Sequence, residues 1–491
     1  MSDRKWDPMN EDDFDAMLES SLPDLPPEDV VADVTPWRRA TRWVLIGMGL
    51  TTITLNYMYL NYIFPAVGMV LLLLGFRALR RENRWFGVCY GITILRAAYV
   101  FANLILNSTI LQSRIHAIPQ MAALTNISLI LLFVEFFCLW GGFRAVQRKA
   151  GLPPHAGGAV ALMVWYGAMC LLALVGYVGL ILGVALLVMY ILIICSLWKL
   201  SKELDQAGYA IRPAPVRLED GTVALAITIL LVGGCICGWL FGSSYPMEWT
   251  PVDAEEHSEA AEIKAELLEL GVPEYVVNDL TAEDLAACDG ALRAVVENRE
   301  EPLNNDRQKT LHITGVAVEL PGEQERWMII QHFLWKENPG FYGTESIQLW
   351  PAYQDCDGWR AGGAVTGRVL YDRDGQTYAA PYWFLGEQSF TSDSIFWGAQ
   401  TSTDVFAAFS MPGSGENHRG YVAYVIEEAQ DGYLISCWFN YTHQRVALQY
   451  PAMSAMETRM TNSWNEAGAF QTMQYALQFR PEELDGEAPV Q

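Results

Sequence analysis

Reactive-site signatures are what this sequence lacks. No GxSxG, HExxH, Walker or GxGxxG pattern stands in a context that would use it, and the nine cysteines include no CxxC pair. These absences remove the usual sequence warrants for acyl-transfer, metalloprotease, nucleotide and dithiol chemistry. A carboxylate pair of the glycosidase kind has no fixed spacing and is not excluded, but nothing selects one. Basic charge is scarce at both ends of the chain. Residues 1–35 carry 2 Lys and Arg against 11 Asp and Glu, and residues 245–491 carry 14 against 39. Phosphate backbones demand Lys and Arg, so nucleic acid is excluded as a partner. No apolar run precedes Trp43, so no cleavable signal peptide is expected.

The middle of the chain is a different polymer. Residues 36–244 carry 16 Lys and Arg against 6 Asp and Glu, a balance of +10 inside a total of −24. Thr222 to Phe241 is twenty residues without a charge, about 30 Å as a helix and enough to cross a bilayer. It divides a membrane half from a water-exposed half. Trp43 to Phe76 is too long for one span and reads as two, turning near Asn56 to Pro65. Further spans are expected from Trp85 to about Leu106 and from Met121 to about Phe143. Gly157 to Trp198 reads as a second hairpin. Basic residues flank every second turn: Arg38, Arg39 and Arg42, then Arg77 to Arg84, then Arg144 to Lys149, then Lys199 to Arg217. The positive-inside rule then predicts seven spans in the plasma membrane, N-terminus cytoplasmic and C-terminal half extracytoplasmic.

Two features of this half are candidate functional residues. Arg96 and Glu135 fall at similar depth in antiparallel neighbours, and ionisable groups there pair or line a polar cavity. A mutual structural pair is expected, since the spans are too poor in polar residues for an ion path. In the acidic tail, Phe14, Met17, Leu18 and Leu22 recur at helical spacing and make one apolar stripe. The stripe either rests on the rest of the protein or docks a cytoplasmic protein partner.

The water-exposed half opens with helical patterns over residues 245–305, expected as a compact stalk with one helix running from Thr281 to about Asn298. Residues 306–483 read as an all-β sandwich or jelly roll of nine or ten short, mostly antiparallel strands, with 484–491 a disordered tail. Hairpins are expected at Pro321–Gln324, at Asp372–Gly375 and, most strongly, at Asp431-Gly432. With Leu320 opposite Glu325, Glu319 pairs with Arg326, and His312 and His332 point to opposite faces, which excludes a metal pair. Asp355-Cys356-Asp357-Gly358 and Asp372–Gly375 lack the ligand spacing of an EF-hand and read as turns. No cofactor is expected. Cys288, Cys356 and Cys437 are too few and too widely spaced for a disulfide framework, though one bridge among them is allowed.

The Asp431-Gly432 hairpin carries the sharpest site expectation. Its register puts Tyr421, Trp438 and Asn440 on the face opposite the core residues, an aromatic and amide surface suited to a glycan or peptide. The alternative is that another strand or loop covers that face.

The stretches Leu25-Pro26-Pro27-Glu28, Thr35-Pro36-Trp37-Arg38, Thr51 to Asn56 and Leu71 to Asn83 resemble an uncharacterised multi-pass membrane family of Gram-positive bacteria. The resemblance implies a bacterial cytoplasmic membrane and brings no activity with it. The sequence thus points to a membrane-anchored extracytoplasmic binding or sensing protein rather than an enzyme. An anti-sigma-type regulator working through residues 1–35 is the alternative, and a surface hydrolase the third.

Overall fold

The computed structural model describes residues 36–53, 55–176, 179–209, 211, 218–252, 260–304, 306–350, 358–394, 398–430, 432–461 and 468–485. They form two compact units, one within residues 1–105 and 114–234, the other within 106–113 and 235–491.

Helices build the first unit: α1 (Pro36–Thr52), α2 (Leu60–Leu79), α3 (Arg84–Leu106), then the short α4 (Gln112–His116) leading into α5 (Pro119–Lys149), α6 (Gly157–Val175), α7 (Leu180–Gln206) and α8 (Asp220–Gly242). Among the described residues, six helices are long and apolar enough to cross a membrane: α2, α3, α5, α6, α7 and α8. They make the chain a membrane protein, and they correct the expected seven spans to six. α1 has 17 residues, a rise of about 25 Å against a hydrocarbon core of about 30 Å. Its first two turns also hold Arg38, Arg39 and Arg42. It lies antiparallel along α2 at very close range. A Cβ on Gly47 would meet the Gly68 carbonyl at 2.7 Å, and one on Gly75 would meet the Ala40 carbonyl at 2.8 Å. Only glycine lets the two backbones approach that far.

The few acids of this unit sit where the basic residues are. Arg77 Nη1 lies 3.0 Å from Asp220 Oδ1, and its Nη2 donates to the Leu218 carbonyl at 2.6 Å. Lys149 Nζ lies 2.6 Å from Glu82 Oε1, an oxygen that also accepts from the Tyr209 hydroxyl. His155 faces Glu203 at 3.1 Å.

The second unit is mostly antiparallel β-structure. Its first sheet runs in the order β1 (Thr250–Pro251), β8 (Gln376–Pro381), β7 (Thr366–Arg373), β11 (Glu416–Glu428), β4 (Arg326–Trp335), β3 (Asp306–Leu320) and β2 (Arg293–Leu303), with β6 (Trp359–Ala361) also on β11. The second sheet runs β13 (Phe470–Phe479), β12 (Ile435–Gln444), β5 (Glu345–Trp350), β10 (Gly398–Phe409) and β9 (Phe384–Ser394). One core joins the two sheets, with Ile329, Phe333, Val422 and Tyr424 from the first and Ile347, Leu349, Phe439 and Tyr441 from the second. That is a β-sandwich.

β4 shows what distinguishes the first sheet. Trp327, Ile329 and Phe333 enter the sandwich core, while Met328 and Ile330 enter a second core on the opposite face. A strand buried on both faces reads as an almost continuous apolar run. The second cover comes from α9 (Ala261–Glu269), α10 (Glu274–Asp279) and α11 (Ala282–Ala286), which lay Leu267, Val276, Val277 and Leu285 against Val316, Val318, Met328 and Ile330. The expected stalk is thereby corrected. The helices lie flat on the sheet, and the last of them stops before Gly290, whose φ of 72° ends the helical run. Residues 293–303, with their paired valines, join the sheet as β2 rather than continuing a helix.

The cover is fastened by a buried carboxylate. Asp279, at the end of α10 and 3% exposed, lies 2.8 Å from His332 Nε2 on β4 and accepts from Arg419 Nε on β11 at 2.9 Å. Arg419 Nη1 reaches Asp372 at 2.9 Å, and Arg368 Nε donates to the Asp279 carbonyl at 2.9 Å. Burial alone would raise the Asp279 carboxyl, but His332 and Arg419 outweigh it and hold it below the ordinary range. A carboxylate depressed in this way stabilises the fold fully above its unfolded value of about 3.9, and the stabilisation is lost as pH falls through the lower folded value. Asp279→Asn is expected to cost about 3 kcal/mol at neutral pH and to flatten the acid limb of the second unit's stability below about pH 4. Calorimetric scans of the full chain check this; an unchanged acid limb would mean that the carboxylate does not fasten the helices.

Candidate functional site

Asp431-Gly432 does not close a hairpin, and the site expectation changes with it. β11 is paired on both edges, with β4 on one side and with β7 and β6 on the other. No edge remains for β12, which pairs with β13 and β5 in the second sheet. Asp431 itself lies outside the described residues. The same dipeptide chemistry operates at Asp374-Gly375, where φ values of 54° and 76° close β7 onto β8.

Tyr421 and Trp438 therefore belong to different sheets. Tyr421 is fully buried beneath the helical cover, its hydroxyl donating to Asp284 and accepting from the Thr281 amide at 3.0 Å. Its placement in a shared face with Trp438 is corrected: it is a core residue of the first sheet. Trp438 and Asn440 stay together on the outer face of the second sheet.

That face is polar where the core face is apolar. Along β12, Ser436, Trp438, Asn440 and Thr442 alternate with Cys437, Phe439 and Tyr441 of the core. Trp438 pairs across the strands with Trp350 of β5, and the rings stack at 5.4 Å with planes 10° apart, both half-buried. On its other side Trp438 opposes the small Ala476 of edge strand β13, flanked by the exposed Gln474 and Gln478. Gln478 Nε2 donates to Ser436 Oγ at 2.9 Å.

Beside the tryptophans lies a buried amide network. Gln348 Oε1 accepts from Asn440 Nδ2 at 3.1 Å and from Arg459 Nε and Nη2 at 3.1 and 2.8 Å. Gln348 Nε2 donates to Asp404 Oδ2 at 2.6 Å. Burial raises the Asp404 pKa against the opposing hydrogen bond of Gln348 and charge of Arg459. Asn440 is 1% exposed, yet among the described residues no donor meets its Oδ1. A buried acceptor without a donor is costly and invites a polar partner. Gln348, Trp350, Asp404 and Arg459 are members that sequence reasoning missed. The signal for two of them is plain: in Ser346–Trp350, Ser, Gln and Trp alternate with Ile347 and Leu349.

Comparison with known proteins adds little. A search of family models and one of curated proteins return no match. Among solved structures, one described as a pore forming protein aligns at 6% identity with a TM-score of 0.20, over 39% of this chain and 92% of that one. The NetB toxin of Clostridium perfringens in its membrane-inserted form aligns at 6% identity with a TM-score of 0.17, over 39% and 98%. At such scores the likeness carries no argument about fold or function.

The remaining candidates stand as follows. Leu320 opposes Arg326, one residue later than the sequence reading, so His312 opposes Leu334, His332 opposes Thr314, and the two histidines share a face. They are engaged separately, His332 with Asp279 and His312 with Glu300 at 3.0 Å. Glu319 pairs with Arg293 and Arg326 with Glu427, in place of the expected Glu319–Arg326 pair. Among the described residues no group of three or more His, Cys, Asp or Glu is placed to hold a metal. Among the described residues, Cys288 and Cys437 are in no disulfide and are buried in separate cores. Burial, helped by Asp284, pushes the Cys288 thiol up to about 12, which leaves it unreactive. Cys356 lies outside the described residues, as do Phe14, Met17 and Leu18.

In the first unit, Arg96 Nη1 donates to Glu135 Oε2, and Thr93 Oγ1 donates to Glu135 Oε1 at 3.0 Å. Glu135 is 4% exposed, so both carboxylate oxygens are satisfied inside the helices. Arg96→Leu alone would strand that carboxylate and should cost about 3 kcal/mol, whereas the double variant with Glu135→Leu should recover most of the loss. Detergent unfolding of the four proteins of the cycle checks this; equal losses in single and double variants would remove the pair's energetic role.

Proposed function

We propose that this chain is a membrane-anchored receptor whose second unit lies outside the cell and binds a glycan or peptide on the outer face of its second sheet. The observation that carries the reading is the Trp350–Trp438 stack beside a buried amide network in which, among the described residues, Asn440 Oδ1 has no donor. Tryptophan faces offer apolar stacking to a sugar ring or side chain, while fixed amides and hydroxyls orient it. The exposed Gln474 and Gln478, either side of Ala476, supply further donors and acceptors around the Trp438 edge.

Two observations support the orientation. The residues that follow α3 belong to the second unit: the Ala452 amide donates to the Asn107 carbonyl at 2.7 Å, and the Ile110 amide to the Gly242 carbonyl, at the end of α8, at 2.8 Å. Along the chain, the ends of α3 and α8 thus both lead into the second unit. Arg77 to Arg84 and Arg144 to Lys149 fall at the opposite ends of α3 and α5, which the positive-inside rule assigns to the cytoplasm.

The orientation is checked by thiol labelling of intact cells with an impermeant reagent. A cysteine introduced near Ser244 should react, and cysteines near Arg80 or Lys202 should not; reaction near Arg80 would overturn it. The binding reading is checked by calorimetry on the full chain in nanodiscs, titrated with chitotetraose and with tetra-alanine. Loss of a stacking contact contributes about 0.5–1.5 kcal/mol beyond burial, so Trp438→Ala should weaken binding roughly 2- to 12-fold. Binding that is unchanged in both Trp438→Ala and Trp350→Ala, or no heat with either probe, would remove the face as the site.

A further inference from the structure

A short helix connects the proposed binding face to the segment between two membrane helices. α12 (Ala455–Met460) begins at Ser454 in a capping box, in which the Glu457 amide donates to Ser454 Oγ at 3.2 Å and the Ser454 amide to Glu457 Oε2 at 3.1 Å. The second oxygen of the same carboxylate, Glu457 Oε1, accepts from the Ser113 hydroxyl. Ser113 stands in α4, within the segment that joins the end of α3 to the start of α5. Two residues beyond Glu457, Arg459 holds Gln348 Oε1 through Nε and Nη2, and Gln348 in turn holds Asp404 and Asn440. One turn of helix thus has the membrane segment at one end and the amide network at the other.

The rest of the attachment is equally close. Gln112 Nε2 donates to the Ala452 carbonyl at 2.8 Å, and the Ala452 amide donates to the Asn107 carbonyl at 2.7 Å. Ile110 of the same segment is buried in one apolar cluster with Ala452 and Met456, and with Phe406 and Ala408 of β10. The Ala455 amide donates to Thr344 Oγ1 at 2.9 Å, just ahead of β5, the strand that supplies Gln348 and Trp350. α12 cannot shift on the second sheet without moving residues 107–113, because its core side chains and its first-turn carboxylate are shared with them.

We infer that α12 couples the binding face to the segment between α3 and α5, so that a change in the Arg459–Gln348–Asp404 contacts alters the order of residues 107–113. The inference rests on the reading of the second sheet's outer face as the ligand site. A ligand that takes a hydrogen bond from Arg459 or Gln348 loosens the hold of Arg459 on β5. The released helix then carries Glu457, and with it Ser113. Coupling is reciprocal by linkage: a shift imposed at Ser113 reaches Gln348 by the same route.

The test needs no ligand. Amide exchange is followed by mass spectrometry on the full chain in nanodiscs, comparing Arg459→Met, Gln348→Leu, Glu457→Gln and a control, Arg293→Met, whose partner Glu319 is in the other sheet. Protection of residues 107–113 should fall at least fivefold in the first three proteins and stay as in the parent in the control. β12 reports folding, and Gln348→Leu serves if Arg459→Met loses β12 protection. If Glu457→Gln loosens 107–113 while both folded site variants leave it as in the parent, α12 only pins the segment locally and the inference fails. It fails equally if none of the three changes it. A parallel titration with chitotetraose separates the two readings, since absence of binding counts against the ligand site alone and absence of exchange changes against the coupling alone.

Discussion

The outer face of the first sheet is apolar and has to be covered. Val316, Val318, Met328 and Ile330 project from it, and leaving such side chains in water would cost about 1.5–3 kcal/mol each. The position of α9, α10 and α11 follows from that need, and so does the Asp279 cluster that fastens α10 to two strands. A carboxylate in that position would be prohibitive alone; with His332 and Arg419 it becomes a fixed point. Tyr421 follows too, a large aromatic filling the space between sheet and helices with its hydroxyl spent on Asp284. The second sheet has this obligation only along β10, where Phe406 and Ala408 are buried with Ile110, Tyr245, Ala452 and Met456. Around β12 and β5 its outer face is built of Ser, Thr, Gln and Asn beside two tryptophans. The outer faces of the two sheets thus differ most around Trp350 and Trp438, the surface proposed above as the ligand site.

Much of this was legible in the sequence, because some signals are local. Charge-free runs of twenty residues have few alternatives to a membrane helix, and alternation along Ser346–Trp350 or Ile435–His443 marks a half-buried strand. β3 and β4 were readable as neighbours because a short Pro-Gly turn joins two β-rich runs. Their register was not, since a five-residue connection and a four-residue one fit the same letters, and one residue reverses the facing of every side chain. The Asp-Gly turns make the same point more sharply. At Asp374-Gly375 the strands on either side still had free edges, and the turn closed a hairpin. At Asp431-Gly432 the preceding strand already had β4 and β7 as neighbours, a fact set by residues more than forty positions away. The site was therefore half legible: Trp438 and Asn440 share a face, and Tyr421 was placed beside them only by a pairing that does not exist.

In the membrane unit, charge is rationed by position. Glu82, Glu203 and Asp220 each meet a basic partner or His155 near helix ends. Glu135 sits deep in α5 and takes Arg96 and Thr93 as partners. An ion path needs a succession of polar groups along a helix, and a carboxylate with both oxygens satisfied at one level supplies a fixed junction instead. Arg96 and Glu135 tie α3 to α5, the same two helices that residues 107–118 connect. Any displacement of that connection meets a pair of helices already locked to each other, which favours their moving as one body over their separating.

Electrostatics narrows what the tryptophan face can accept. Residues 245–491 carry a balance of −25, and a field of that sign lowers the local concentration of anions. Arg459 does not offset it at the face, because its guanidinium is engaged by Gln348 and lies close to the Asp404 carboxylate. A phosphate or carboxylate ligand would thus meet net repulsion and no free cation in the network described. β12 and β5 are paired on both sides, so a peptide could add by backbone pairing near Trp438 only at β13, one strand away. What the surface does offer is neutral: two indole rings, the Gln474 and Gln478 amides and the Ser436 hydroxyl. Sugar rings present apolar C–H faces and neutral hydroxyls that both donate and accept. Of the two ligand classes proposed above, the uncharged glycan is thus the one favoured by the charge and the neutral polar groups of this face.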